Sequence, residues 1–134
     1  MNDLMYQIQE IKVPQFNFAL NPNEKEAIEP QLKVGGSVTL KGEELTVMIR
    51  VSTERNLNHK YHLDAIAVGL FRVKNYVDNE EQRGLLKRIG FATVYPYLRS
   101  SISGAASVLA NYKLDLGIID VDSTFEKAII TIAD

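Results

Sequence analysis

The chain has 134 residues, 46% hydrophobic and 24% charged, with a formal net charge of −2; this is the balance of one globular domain with a core of its own, not of a disordered chain. The charge and the lack of a Lys/Arg-rich stripe argue against nucleic acid as a partner. The absence of cysteine removes disulfides, thiol catalysis and zinc–thiolate sites.

In chain order, Met5 to Leu20 reads as a strand that changes phase. Tyr6 and Ile8 share a face, Ile11 and Val13 take the other, and Phe16, Phe18 and Leu20 return to the first. Pro14 stands at the second slip, where a bulge or an edge position is expected. Asn21 to Glu26 is polar and turn-forming, and Pro30 ends the connection. Gln31–Leu40 and Glu44–Thr53 alternate as strands with one wet face, joined by a tight turn with Gly42 at a position of positive φ. Gly35-Gly36 falls inside the first of these, which marks a bulge or a close backbone approach rather than a ligand loop. Tyr61 to Val73 is a fourth strand, apolar on both faces between Ala65 and Phe71, so both faces need a cover.

Asp78, with Glu81 three residues on, predicts a capped helix start. Leu85, Leu86, Ile89 and Phe91 then form an apolar side. Gly90 and Pro96 predict either two helices or one kinked helix, with Pro96 near a start or at the kink. Leu98, Ile102, Ala105, Ala106 and Leu109 recur at helical spacing as a buried face. Ser100, Ser103, Gly104, Ser107 and Asn111 form a column of small residues on another side, which lets a second backbone approach. Leu114 to Ile119 is an extended apolar loop. A last short helix is expected from an Asp122 cap with Phe125, Ala128, Ile129 and Ile132 aligned, although the β-branched run Ile129 to Ile132 also suits a strand.

The search for chemistry is negative. There is no nucleophile elbow, phosphate-binding glycine loop or dinucleotide fingerprint. The two histidines, His59 and His62, are expected to point apart on a strand and not to bind metal. No catalytic residue, metal or cofactor is assigned, and the chain reads as a non-enzyme. Neither a signal peptide nor a membrane span is legible, so a cytoplasmic location is expected.

The run Tyr95-Pro96-Tyr97-Leu98-Arg99-Ser100-Ser101-Ile102, followed by Leu114-Asp115-Leu116 and Phe125, resembles the protein-export chaperone SecB. In that family an aromatic-Pro-Tyr-x-Arg-x-x-Ile helix leads to a Leu-Asn-Leu loop. Tyr6 to Gln9 and Phe16-x-Phe18 are similar to its first strand. The resemblance implies an α+β domain over residues 1–134. A four-stranded antiparallel sheet would occupy 1–76. A helical layer would occupy 77–134, with one long helix, an inter-helix loop at 111–121 and a short C-terminal helix on one face of the sheet. It further implies an ATP-independent holdase that binds unfolded or precursor polypeptides for export.

The client groove would comprise Phe16, Phe18, Tyr97, Tyr112, Leu114, Leu116, Ile118, Ile119 and Phe125. The subunits would form a dimer of dimers through Tyr6, Ile8 and Ile11 at the strand edge and through Ser100, Ser103, Gly104 and Ser107 on the long helix. Asp64 would be a docking acid for the translocase motor SecA, but Gln15 and Ala19 stand where the family is acidic, and Ile118 replaces a loop proline. Two other readings are a dedicated chaperone of a single partner, such as an antitoxin, and a small-ligand-binding α+β domain.

Overall fold

The computed structural model describes residues 3–133; the ends of the 1–134 domain, Met1, Asn2 and Asp134, lie outside the described residues. Four strands, β1 (Met5–Leu20), β2 (Leu32–Lys41), β3 (Glu44–Thr53) and β4 (Tyr61–Lys74), precede a single helix α1 (Glu80–Ala110). A one-turn helix α2 (Val121–Thr124) and a fifth strand, β5 (Ile129–Ala133), follow. The sheet order is β1-β4-β3-β2-β5, antiparallel except where β5 runs parallel to β2.

The α+β class and the helix layer on one sheet face therefore hold, but the sheet is mixed and five-stranded rather than four-stranded and antiparallel. The expected C-terminal helix shrinks to one turn, capped by Asp120 rather than Asp122. The β-branched run beyond it continues as the strand that covers the edge of β2, with Ile130 and Ile132 beside Val38 and Leu40.

The phase changes of β1 are bulges. Its register on β4 shifts between Ile8 and Glu10 and again between Lys12 and Gln15, bracketing Pro14. Tyr6, Ile8, Ile11, Phe16, Phe18 and Leu20 are thereby all opposite β4 residues that face the helix, from Val73 to Tyr61. The Ile11 face that the strand pattern put opposite Tyr6 is thus brought back to the same side. The β2–β3 hairpin closes on Gly42, whose φ is +61°.

The core lies between this face and α1, with Leu45, Val47, Ile49, Leu63 and Phe71 below and Leu86, Phe91, Val94, Leu98 and Ile102 above, all buried. The helix can sit this close because Gly36 and Gly69 face it. A Cβ on Gly36 would lie 2.6 Å from the Phe91 ring, and one on Gly69 2.5 Å from a Val94 methyl. Gly36 is the close approach that the Gly-Gly pair signals.

The helix start differs by one residue from the sequence reading. Asn79, not Asp78, is the N-cap, accepting from Gln82 N at 2.8 Å, while Gln82 Oε1 accepts from Val77 N. Asp78 instead grips Arg83. Pro96 is inside one continuous helix and not at a start. Its missing N–H falls on the exposed side of the helix, where Ala92 is also exposed and water can satisfy the carbonyl. Leu109 leaves the buried face and is exposed.

Candidate functional site

α1 ends at Asn111, in the left-handed region at φ +49°, and Tyr112 N bonds back to Ala106 O at 3.1 Å. This turn drops Tyr112 into an aromatic cluster with Phe18 and Tyr61, whose ring centroids are 5.7–6.0 Å apart. Burial pushes the Tyr61 phenol up to about 12, with help from the Glu29 carboxylate. β1, β4 and the end of α1 thus converge on one aromatic corner.

From there the crossover runs without regular structure to Asp120 and is tied to α1 along its length. Arg99 makes a two-pronged pair with Asp115 at 3.0 and 3.2 Å. Asp115 also accepts from Gly117 N at 3.0 Å, and Gly117 has the positive φ (+79°) that suits glycine. The Tyr95 hydroxyl donates to Gly117 O at 3.4 Å. Further on, Arg88 pairs with Asp122 and Lys87 Nζ donates to Glu126 O. Asp115 is held below the usual carboxylate range, first by the Arg99 hydrogen bond and then by the Gly117 amide.

The expected groove residues divide. Phe18 and Tyr112 meet, Phe16, Leu116 and Ile119 are half-buried, and Tyr97 and Ile118 are exposed, Ile118 by 90%. Leu114 and Phe125 are spent on the chain's own core. Leu114 is 5% exposed, and Phe125 stacks on Phe91 at 4.0 Å near β5, at the other end of the crossover. Their side chains are therefore not offered to a partner in this conformation.

Of the residues assigned to subunit contacts, Tyr6 and Ile8 lie on the helix-side face yet are 52% and 47% exposed, at the corner of the sheet that α1 leaves uncovered. Ile11 and Ser103 are half-buried, while Ser100, Gly104 and Ser107 face outward. Exposed Val108, beside Leu109 on the same end of α1, escaped the sequence reading; its neighbours in the small-residue column were the available signal.

On the opposite sheet face, Ile66, Val68 and Leu70 of β4 and Met48 of β3 form the second apolar side of β4, only partly covered. Asp64 sits at its end. Arg50 binds it through Nε and Nη2 at 3.0 and 2.8 Å, and Gln15 adds a third bond at 3.2 Å. The Arg50 hydrogen bond lowers the pKa of Asp64 most. This acid is already neutralised within the sheet.

His59 lies in the β3–β4 connection rather than on the strand with His62, and both residues line one cleft. Among the described residues no group of three or more His, Cys, Asp or Glu side chains could hold a metal ion, and no helix is long and apolar enough to cross a membrane.

The fold is that of the SecB-like chaperones. A SecB-like chaperone of Mycobacterium tuberculosis, solved in complex with a ChAD peptide from the HigA1 antitoxin, superposes with a TM-score of 0.64 at 19% identity over 86% of this chain and 91% of its own. A protein of unknown function from Streptococcus agalactiae superposes with a TM-score of 0.56 at 8% identity, covering 87% and 99% of the two chains. No protein-family model and no curated protein sequence matches the chain.

Proposed function

We propose that this chain is an ATP-independent, SecB-like cytoplasmic chaperone that holds a non-native polypeptide segment. The groove runs along Phe16, Phe18 and Tyr112 and the exposed side chains of α1 and the crossover, Tyr97 and Ile118, with half-buried Leu116 and Ile119 between. The observation that carries this reading is the surplus of exposed apolar side chains beside a core that is already complete, Tyr97, Leu109 and Ile118, over and above Tyr6, Ile8 and Val108, which the assembly proposed below would cover. Such side chains would gain about 25 cal/mol per Å² on burial, and their location on the helix side of the sheet suits contact with another chain. Nondirectional apolar contact with backbone pairing at a sheet edge suits clients of varied sequence and needs no catalytic group.

Within this class, the pairing of Asp64 with Arg50 and Gln15 favours a dedicated partner over the export motor. A docking acid must be free to meet a basic surface, and here separating it from Arg50 would precede any such contact. The mycobacterial neighbour, solved with an antitoxin peptide, supports a polypeptide partner of that kind. The assembly is a dimer of dimers, with Tyr6, Ile8 and Ile11 joining strand edges and Ser100, Ser103, Gly104 and Ser107 between long helices.

The test uses Tyr97→Asp with Ile118→Asp, two exposed positions where a carboxylate leaves the core intact. Suppression of aggregation of several unrelated unfolded proteins is expected to fall severalfold, with an unchanged unfolding midpoint. Undiminished suppression by the folded double variant would remove the groove assignment. Activity toward one client only would select the dedicated reading, and activity toward many the general holdase.

A further inference from the structure

At the end of the sheet below the aromatic corner, the β1–β2 and β3–β4 connections enclose a cleft of about 420 Å³. The ionisable residues lining it are Arg55, His59, His62 and Tyr61, without a single carboxylate. Both histidines of a chain with a net charge of −2 are thus gathered at one point.

The walls are braced. Asn21 Nδ2 donates to Leu57 O at 3.0 Å and His59 O at 2.9 Å, while Asn21 N donates to Lys60 O at 2.8 Å. Asn56 Oδ1 accepts from Asn58 N, closing an Asx turn. Of the acids on adjoining surfaces, Glu29 is matched by Lys60 and Asp64 by Arg50, while Glu24 and Glu26 stand on the β1–β2 connection outside the cleft lining. Arg55 makes no ion pair among the described residues. His59 Nδ1 is buried without a hydrogen-bond partner, and His62 Nδ1 has only a 3.4 Å contact with Thr53 Oγ1. Buried polar groups are normally paired, so the orphaned ring nitrogen points to a missing partner; with Nδ1 protonated that partner is an acceptor, which is also what the unpaired guanidinium requires.

We infer that this cleft takes a carboxylate presented by the bound polypeptide. One guanidinium with two imidazoles matches a singly charged, planar acceptor. No glycine-rich loop or helix N-terminus adjoins the cleft, as a phosphate would favour. Tyr61 is shared between the cleft and the aromatic cluster with Phe18 and Tyr112. A segment whose apolar residues lie on that cluster therefore delivers a neighbouring acid to Arg55. Exposed Leu57 forms an apolar lip beside it. This inference rests on the polypeptide-holding reading and adds a sequence preference to it: an apolar stretch next to an acidic side chain or a free chain terminus.

The test compares fluorescein-labelled apolar peptides that are identical except at one end: uncharged and amidated, amidated with a flanking Glu, or ending in a free carboxylate. With the full-length protein, a carboxylate is expected to tighten binding about tenfold, as for a hydrogen bond to a charged group. Arg55→Gln should abolish that preference while leaving the uncharged peptide unaffected, and Arg72→Gln, on the outer sheet face, should change neither. The source of the acid follows from which of the two charged peptides gains. Equal affinity for charged and uncharged peptides would overturn the inference while sparing the chaperone reading. Should no peptide bind, the chaperone reading falls, and titration of hexanoate and sulfate against the imidazole NMR signals of His59 and His62 decides the cleft by itself. Saturating shifts with hexanoate alone uphold a carboxylate site; shifts with both, or with neither, refute it.

Discussion

Gly69 leaves no space for a side chain. A Cβ there would stand 2.5 Å from the Val94 methyl and 3.0 Å from the Phe71 ring, both buried in the core. A β-branched neighbour on a packed helix cannot swing away, so Gly69→Ala must push α1 off the sheet. A loss of about 1–3 kcal/mol is expected, as for other overpacked cores, read as a lower urea midpoint at constant slope. Polar residues make a different demand. The carboxyls of Asp78 and Asp115 are held below their ordinary range, Asp78 chiefly by Arg83 and then Tyr76, Asp115 by Arg99 and then the Gly117 amide. Since the folded pKa is depressed, the stabilisation is complete above the ordinary carboxylate value and disappears as pH falls through the depressed one. The urea midpoint should therefore stay level at neutral pH and descend below about pH 4. Asp115→Asn should lower the plateau slightly and make that descent shallower; an identical descent in the variant would show that the Arg99 pair contributes nothing.

The elements differ in how plainly the residues announce them. β2 and β3 are legible because alternation with one buried face admits a single register, and β4 because a run apolar on both faces marks a strand inside a sheet. Both bulges of β1 are legible for the same reason, since a phase change in an apolar strand has to be absorbed by an extra residue. The C-terminal segment is not legible. Phe125, Ala128, Ile129 and Ile132 fit a helical face and Ile129 to Ile132 fit a strand, and only the unsatisfied edge of β2, a tertiary fact, decides between them. The groove was half legible. Apolar residues in the crossover can be named, but which of them the core consumes depends on how α1 holds the loop, through Arg99 and Tyr95 near Leu114 and through Arg88 and Lys87 near Phe125. The long helix adds a testable case. A Cβ on Gly104 would meet nothing within 4 Å, so nothing inside the chain requires glycine, which costs a helix about 0.8–1 kcal/mol relative to alanine. Gly104→Ala is expected to raise the stability of the isolated chain by that order. A loss of stability instead would mean that the helix backbone is strained there for internal reasons.

For the whole molecule, surface area makes the argument. A compact monomer of 15.1 kDa should expose about 7,100 Å², whereas this chain exposes 8553 Å². The excess is on the order of 1,400 Å², close to two standard half-interfaces of about 800 Å² each. Two surfaces are placed to use it. One is the uncovered corner of β1 at Tyr6 and Ile8; the other is the outer side of α1 at Ser100, Gly104 and Ser107, next to exposed Val108. In the proposed dimer of dimers each would pair with its own copy about a two-fold axis, and two different two-fold contacts whose axes cross at right angles close a tetramer instead of a filament. Light scattering is therefore expected to give about four times the chain mass of 15.1 kDa. Gly104→Leu should prise the long helices apart and leave dimers joined at β1. Tyr6→Asp with Ile8→Asp should leave the other dimer, joined through α1. Because the two contacts are independent, the three substitutions together should yield a folded monomer. A wild-type protein that already runs at the mass of one chain would leave the exposed side chains of β1 and α1 to clients alone.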